Sequence, residues 1–193
     1  MEDHGGYAVP VETGRWPDRI SGEWTVEALE TLPDNGLRYE ILNGTLLVTP
    51  SPTPRQQGAI LELAVLLREV CPPDHMFVAP LDWQPDGLTS LEPDLMVVRR
   101  VRIGEKRITE PPSLVVEVLS PGTARIDRMI KLSRYAEGGI GQYWIVDPAV
   151  PSIEIYDLTD GVYVLVARGS GDDTVAVPAP FTVTVVPRLL VEN

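Results

Sequence analysis

At 193 residues, with 44% hydrophobic side chains and a mean hydropathy of +0.01, the chain suits one domain with a sizeable core. No apolar run approaches the roughly 18–20 residues that span a bilayer; the N-terminus shows no secretory pattern, and the single cysteine, Cys71, excludes an internal disulfide framework and fits a reducing cytoplasm. The net charge of −12 counts against nucleic-acid binding, which needs Lys and Arg to neutralise phosphates, unless the basic residues are concentrated in one place.

Met1 to about Ser21 carries Gly5-Gly6, two prolines and no periodicity, which predicts a flexible N-terminal arm over 1–22 ahead of a single domain over 23–193. From Thr25 to Leu32, apolar residues at Val26, Leu29 and Leu32 predict a helix with Thr25 as N-cap, ended by Pro33-Asp34-Asn35-Gly36. Arg38–Asn43 and Thr45–Val48 read as strands joined at Asn43-Gly44, a dipeptide that tolerates positive φ at both turn positions. After the stiff Pro50-Ser51-Pro52-Thr53-Pro54 connector, a helix is predicted from about Arg55 to Val70. Its apolar residues cover most of the circumference, which predicts burial between layers or under a partner subunit.

Met76–Trp83 and Leu88–Val98 predict strands joined through Pro85-Asp86-Gly87, with Pro93 delaying proper pairing until Asp94. Arg99–Glu110 is charged and reads as a loop with some helix or strand. The near-continuous aliphatic run Leu114–Leu119 predicts a central strand covered on both faces. Thr123–Glu137 predicts a second helix with Ile126, Met129, Ile130, Leu132, Ser133 and Ala136 inward, stopped by Gly138-Gly139. Strands follow at Gln142–Pro148, Ser152–Leu158, Val162–Val166 and Phe181–Val186, with a hairpin turn at Asp160-Gly161. The pattern predicts an α/β (α+β) fold: a mixed central sheet flanked by helices, with β-hairpins at the N- and C-terminal ends.

Two of these apolar segments hold a carboxylate. Asp94 lies in Glu92–Val98 and Glu117 in Ser113–Pro121. In core strands each charge costs several kcal/mol unless a cation or hydrogen bonds compensate it, and a metal would compensate both. Asp94 can also be read as a turn residue capping local amides; Glu117, with four aliphatic or small residues before it and two after, cannot. Glu40, between Tyr39 and Ile41, is either a third candidate or a solvent-facing strand residue. Asp127 and Lys131, four apart on one helix side, read most simply as a surface pair worth about 0.3–0.5 kcal/mol. Residues 99–134 hold nine of the sixteen basic residues and four acids, a local charge of +5 against −17 in the remainder. That window is either a grip for a phosphate backbone or an ordinary solvated surface. His4 and His75 lack companions at metal-ligand spacing, and Cys71 reads as a packing residue.

The runs Arg38–Leu46, Ser51–Gln57, Pro93-Asp94-Leu95, Val116–Pro121, Asp127–Lys131 and Tyr143–Pro148, in this order, resemble the Uma2 family, a group of restriction-endonuclease-like proteins in the PD-(D/E)xK nuclease superfamily. The resemblance covers roughly residues 25 to 190. It implies a restriction-endonuclease-like fold and an endonuclease that uses Mg²⁺, with Mn²⁺ as a substitute, to hydrolyse DNA. On this resemblance Asp94 and Glu117 are the metal-binding acids and the Val118 carbonyl is a further ligand. The superfamily's lysine position is Leu119 here, so Lys131 is the replacement that assists catalysis, steadied by Asp127. Glu40 matches an acidic residue of the family near its N-terminus. Gln56 stands where the family often has a histidine, and it can hold phosphate or water but cannot titrate. Arg128 joins Gln56 and Asp127 as supporting residues. Two function classes remain: a Mg²⁺-dependent endodeoxyribonuclease, and a non-catalytic or repurposed nuclease-fold module that binds nucleic acid or protein. A symmetric homodimer through the apolar helix or the C-terminal hairpins is expected of either.

Overall fold

The computed structural model describes residues 23–78, 80–100 and 107–192. The expected N-terminal arm, His4, and Arg102, Glu105 and Lys106 of the basic window lie outside the described residues. In chain order the elements are α1 (Val26–Leu29), β1 (Leu37–Leu42), β2 (Thr45–Pro50), α2 (Pro54–Val70), β3 (His75–Val78), β4 (Trp83–Asp86), β5 (Thr89–Leu91), β6 (Leu95–Arg99) and β7 (Leu114–Val118). A π-helical stretch, Ile126–Lys131, then runs directly into α3 (Leu132–Glu137). The chain ends with β8 (Gln142–Asp147), β9 (Ser152–Thr159), β10 (Val162–Ser170), β11 (Val175–Val177), β12 (Val183–Val185) and a short 3-10 turn, Pro187–Leu190.

Six strands form the main sheet in the order β10-β9-β8-β7-β6-β3, with β7 and β8 its one parallel pair. A parallel pair needs a crossover, and the helix over 124–137 supplies it. Strand β7 is buried along its whole length, as its aliphatic run predicts. Its side chains alternate between two cores. Leu114, Val116 and Val118 face Ala59, Leu63 and Leu67 of α2 together with Val175 and Val183 of the small β11–β12 sheet. Val115 and, just past the strand, Leu119 lie with their sheet neighbour Tyr143 of β8 against Tyr135 of α3 and Trp83 and Leu91 of the four-stranded sheet β2-β1-β5-β4. Full burial of a Leu such as Leu63 is worth about 1.5–3 kcal/mol, and these rows hold the layers together.

The hairpin turns follow the sequence. Asn43 and Gly44 have φ of 48° and 75°, and Asp160 and Gly161 have 51° and 82°, the primed-turn geometry that fits twisted strands. Thr53 and Gln56 make a reciprocal capping box at the start of α2, with Pro54 in its first turn.

Several expectations need correction. The helix near Thr25 is four residues long, and Thr25 makes no side-chain cap. The run Met76–Trp83 divides between β3 in the six-stranded sheet and β4 in the four-stranded one, and Leu88–Val98 divides at Glu92-Pro93-Asp94 between β5 and β6. Proline cannot donate to a ladder, so the chain changes sheet there. α2 is not buried all round: Ala59, Leu63 and Leu67 are covered, while Leu61 is 62% exposed. The expected inner face of the second helix is wrong for three of its six members, while Ala136 is buried and Ile126 and Leu132 are half-buried. Met129, Ile130 and Ser133 face solvent, and Asp127, Lys131, Arg134 and Tyr135 are buried beside Ala136. The last strand shortens to β12, and β11 pairs with it where no strand was expected.

Candidate functional site

Register explains how Asp94 and Glu117 meet. Leu95 pairs with Val116 and Met96 with Val115 in the antiparallel β6–β7 ladder, so one further step places Asp94 opposite Glu117 on the same sheet face. The backbone N–H of Val118 donates to Asp94 Oδ2 at 2.7 Å, which fixes the aspartate at the end of β7. Arg38 on β1 donates from Nη1 to Asp94 Oδ1 at 3.1 Å and from Nη2 to the Glu92 carbonyl at 2.5 Å. Glu40, two residues along β1 and therefore on the same strand face as Arg38, accepts from the Glu92 N–H at 2.9 Å.

The helix delivers the third member. Lys131 Nζ is 3.0 Å from both Glu40 Oε1 and Glu117 Oε1, and 3.6 Å from Asp127 Oδ1, with every one of these side chains buried. The last contact is an ion pair without hydrogen-bond geometry, so Asp127 Oδ1 is a buried acceptor with no hydrogen-bond donor. Tyr135, one turn beyond Lys131, donates its hydroxyl to Glu117 Oε1 at 2.7 Å. Gln56 at the start of α2 closes the opposite side by donating Nε2 to the Val118 carbonyl at 3.2 Å. A carbonyl has two lone pairs, so that oxygen keeps a position for another partner.

Apart from Tyr135 and Glu92, these groups line a cleft of about 170 Å³ that holds four carboxylates, Glu40, Asp94, Glu117 and Asp127, against two cations, Arg38 and Lys131. Burial pushes the Glu117 carboxyl well above the ordinary range, with the Lys131 charge opposing that shift. Burial likewise raises Asp127, against Lys131 and a hydrogen bond from Thr123. For Lys131 burial acts against the charge, but Glu117, Glu40 and Asp127 outweigh it and hold the ammonium above the usual lysine range. Arg38 is held up in the same way by Asp94 and Glu92. Among the described residues no three His, Cys, Asp or Glu side chains form a cluster able to enclose a metal ion by themselves. Lys131 stands between Glu40 and Glu117, which keeps the acids apart.

The family model for Uma2, described as "Putative restriction endonuclease", matches residues 26–189. The chain belongs to the Uma2 family. A crystal structure described as a putative nuclease belonging to DUF820 from Anabaena variabilis is similar with a TM-score of 0.64 at 20% sequence identity, covering 81% of this chain and 89% of that one. That likeness shows the shared, restriction-endonuclease-like fold. A comparison with curated proteins found no match.

Of the site residues expected in this Uma2 chain, Asp94, Glu117, Val118, Lys131, Glu40, Gln56 and Asp127 all line the one cleft. Arg128 does not. Its Nη1 pairs with Glu154 at 2.5 Å on β9, away from the cleft. Glu40 does not face solvent, and Asp127–Lys131 is a buried pair rather than a surface one. His75 contacts Asp74 instead of the cleft. Arg38 and Tyr135 were not anticipated. Both carried a signal: Arg38 and Glu40 are two apart on a strand, and Asp127, Lys131 and Tyr135 recur every four residues on a helix. No helix among the described residues is long and apolar enough to cross a membrane.

Proposed function

We propose that this protein is a metal-dependent endonuclease that hydrolyses DNA phosphodiester bonds in the cleft between β1, β6, β7 and the π-helical stretch. The observation that carries this reading is the charge composition of the cleft. Four carboxylates face two cations there, a deficit that one divalent ion would fill. The donors are all oxygen, the chemistry that suits Mg²⁺, which takes one or two carboxylates and completes its shell with water and substrate phosphate. Asp94 and Glu117 would hold the ion, with the free lone pair of the Val118 carbonyl as a further donor. The chemistry such an ion, Mg²⁺ or Mn²⁺ in its place, would supply here is polarisation of a phosphoryl oxygen and a lowered pKa for an attacking water.

The remaining groups position and stabilise. The Val118 N–H and Arg38 hold Asp94 in one orientation. Gln56 fixes the Val118 carbonyl from the α2 side. Lys131 donates to Glu40 and Glu117 and has Asp127 at 3.6 Å, and in this reading its ammonium would stabilise negative charge developing on a phosphate oxygen. Asp127 and Glu40 keep that ammonium charged and in place. Leu119 does not take part, since it is 5% exposed within the apolar layer beside Tyr135.

The test is incubation of the pure protein with plasmid DNA, single-stranded DNA and RNA in Mg²⁺ or Mn²⁺. DNA cleavage that stops in EDTA and in Asp94→Asn supports the reading. Cleavage that persists in Asp94→Asn comes from a contaminant and sinks it, and failure to cut any substrate favours a binding module built on the same fold.

A further inference from the structure

Beside the cleft lies a larger groove of about 470 Å³, within the range of small-ligand sites. The two hollows share Arg38, Pro52 and Asp94. The groove differs from the cleft in chemistry: Ile60, Leu61 and Ala64 of α2 and Leu95 of β6 line it together with Gln57 and Glu92 and the shared Arg38 and Asp94. Leu61 is 62% exposed there, on a helix whose other apolar residues are mostly covered. An apolar slot opening directly beside a phosphate-handling site matches a nucleotide, whose base has apolar faces and a polar edge.

Strand preference follows from what the base must do to enter. In a duplex the faces are stacked and the edges paired, so only an unpaired or extruded base can reach such a pocket. The basic residues argue in the same direction. Arg107 is bonded to Gln84, Arg128 to Glu154, Arg134 to Asp86 and Arg100 to the Pro73 carbonyl, and none of these lines either hollow. Among the described residues Arg55 is exposed next to Gln56 of the lining and Arg125 is exposed two positions from both Thr123 and Asp127, two contacts rather than a stripe that would follow a duplex backbone. Resting on the nuclease reading above, we propose that the groove takes an unpaired nucleobase next to the phosphate held in the cleft, so that the substrate is single-stranded DNA or an unpaired segment within DNA.

The experiment uses the full chain with an oligonucleotide carrying one 2-aminopurine, single-stranded or annealed, in EDTA and in Ca²⁺. Two variants accompany it: Ala64→Phe fills the groove, and Leu61→Ser alters an exposed wall residue and leaves the core untouched. The expected result is a rise in 2-aminopurine emission on binding the single strand, with the duplex bound about tenfold or more weakly, the scale of one lost base contact. Both variants should lose the rise and weaken single-strand binding. Equal affinity for duplex and single strand, or a rise that survives both variants, overturns the inference while leaving the nuclease reading intact. So does a dimer in light scattering that both variants dissociate without changing DNA binding, because a second copy of the chain then fills the groove. Absence of any DNA binding removes the nuclease reading itself, and this inference with it.

Discussion

The two long helical segments obey opposite rules. α2 is regular, opens with a capping box and buries Ala59, Leu63 and Leu67 against the main sheet. The segment over 124–137 has a π-helical stretch at its centre, exposes Met129 by 60% and Ile130 by 48%, and buries Asp127 and Lys131. An unpaired buried charge costs several kcal/mol, so the second segment is tolerable only because Glu40 and Glu117 wait on the strands beneath it. Single π turns inside helices concentrate at functional sites. The first helix packs the core through its buried face and lends Gln56 to the cleft from its first turn; the second supplies the cleft with Asp127 and Lys131, and its sequence makes sense only against the carboxylates of β1 and β7.

Substitutions should separate these roles. Glu117→Gln keeps the shape of the site and removes one negative charge, and DNA cleavage should fall on the order of thousandfold, measured as the rate of plasmid nicking. Lys131→Met should lower cleavage about a hundredfold. The same variant leaves Glu40, Glu117 and Asp127 without their shared cation and should lose about 3–5 kcal/mol in urea unfolding. Leu63→Ala on α2 should cost a similar 2–5 kcal/mol through its cavity, with the cleavage rate per folded molecule unchanged. If Leu63→Ala slowed the chemistry as much as Lys131→Met, the division between the helices would collapse.

Smaller effects sharpen the contrast. Burial holds the Asp127 pKa above its unfolded value, so the cost of carrying that carboxylate is absent below about pH 4 and grows as pH rises through the folded-state pKa. Asp127→Asn removes this cost. The Tm of the variant relative to wild type should therefore climb by a few degrees between pH 4 and pH 7, and a flat difference would show that Lys131 fully compensates the charge. Met129→Ser and Arg128→Ala, on the outer side of the same segment, should each change stability by about 1 kcal/mol or less and leave cleavage untouched.

The same contrast marks what could be read from sequence. The hairpin turns at Asn43-Gly44 and Asp160-Gly161, the α2 helix and the central position of β7 follow from local chemistry, because turn dipeptides, caps and aliphatic runs act over a few residues. Asp94 and Glu117 stood out as charges in apolar strands, and the β6–β7 register brings them together. The inner face of the second helix was misread because hydrophobic periodicity assumes that apolar residues go inside. Here ion pairing with Glu40, 91 positions away in sequence, decides the face instead. Arg38 and Tyr135 escaped notice for the same reason: their partners lie on other elements. The division of Met76–Trp83 between two sheets was hidden because both halves have strand composition.

The central claim is that the carboxylate excess of the cleft serves a divalent cation. Titrating Mn²⁺ into the metal-free protein while recording its thermal transition tests this without relying on activity. Mn²⁺ bound to the folded chain should raise the Tm of wild type with increasing concentration, and this shift should vanish in Glu117→Gln. An equal shift in both proteins, or none in wild type, would contradict the account.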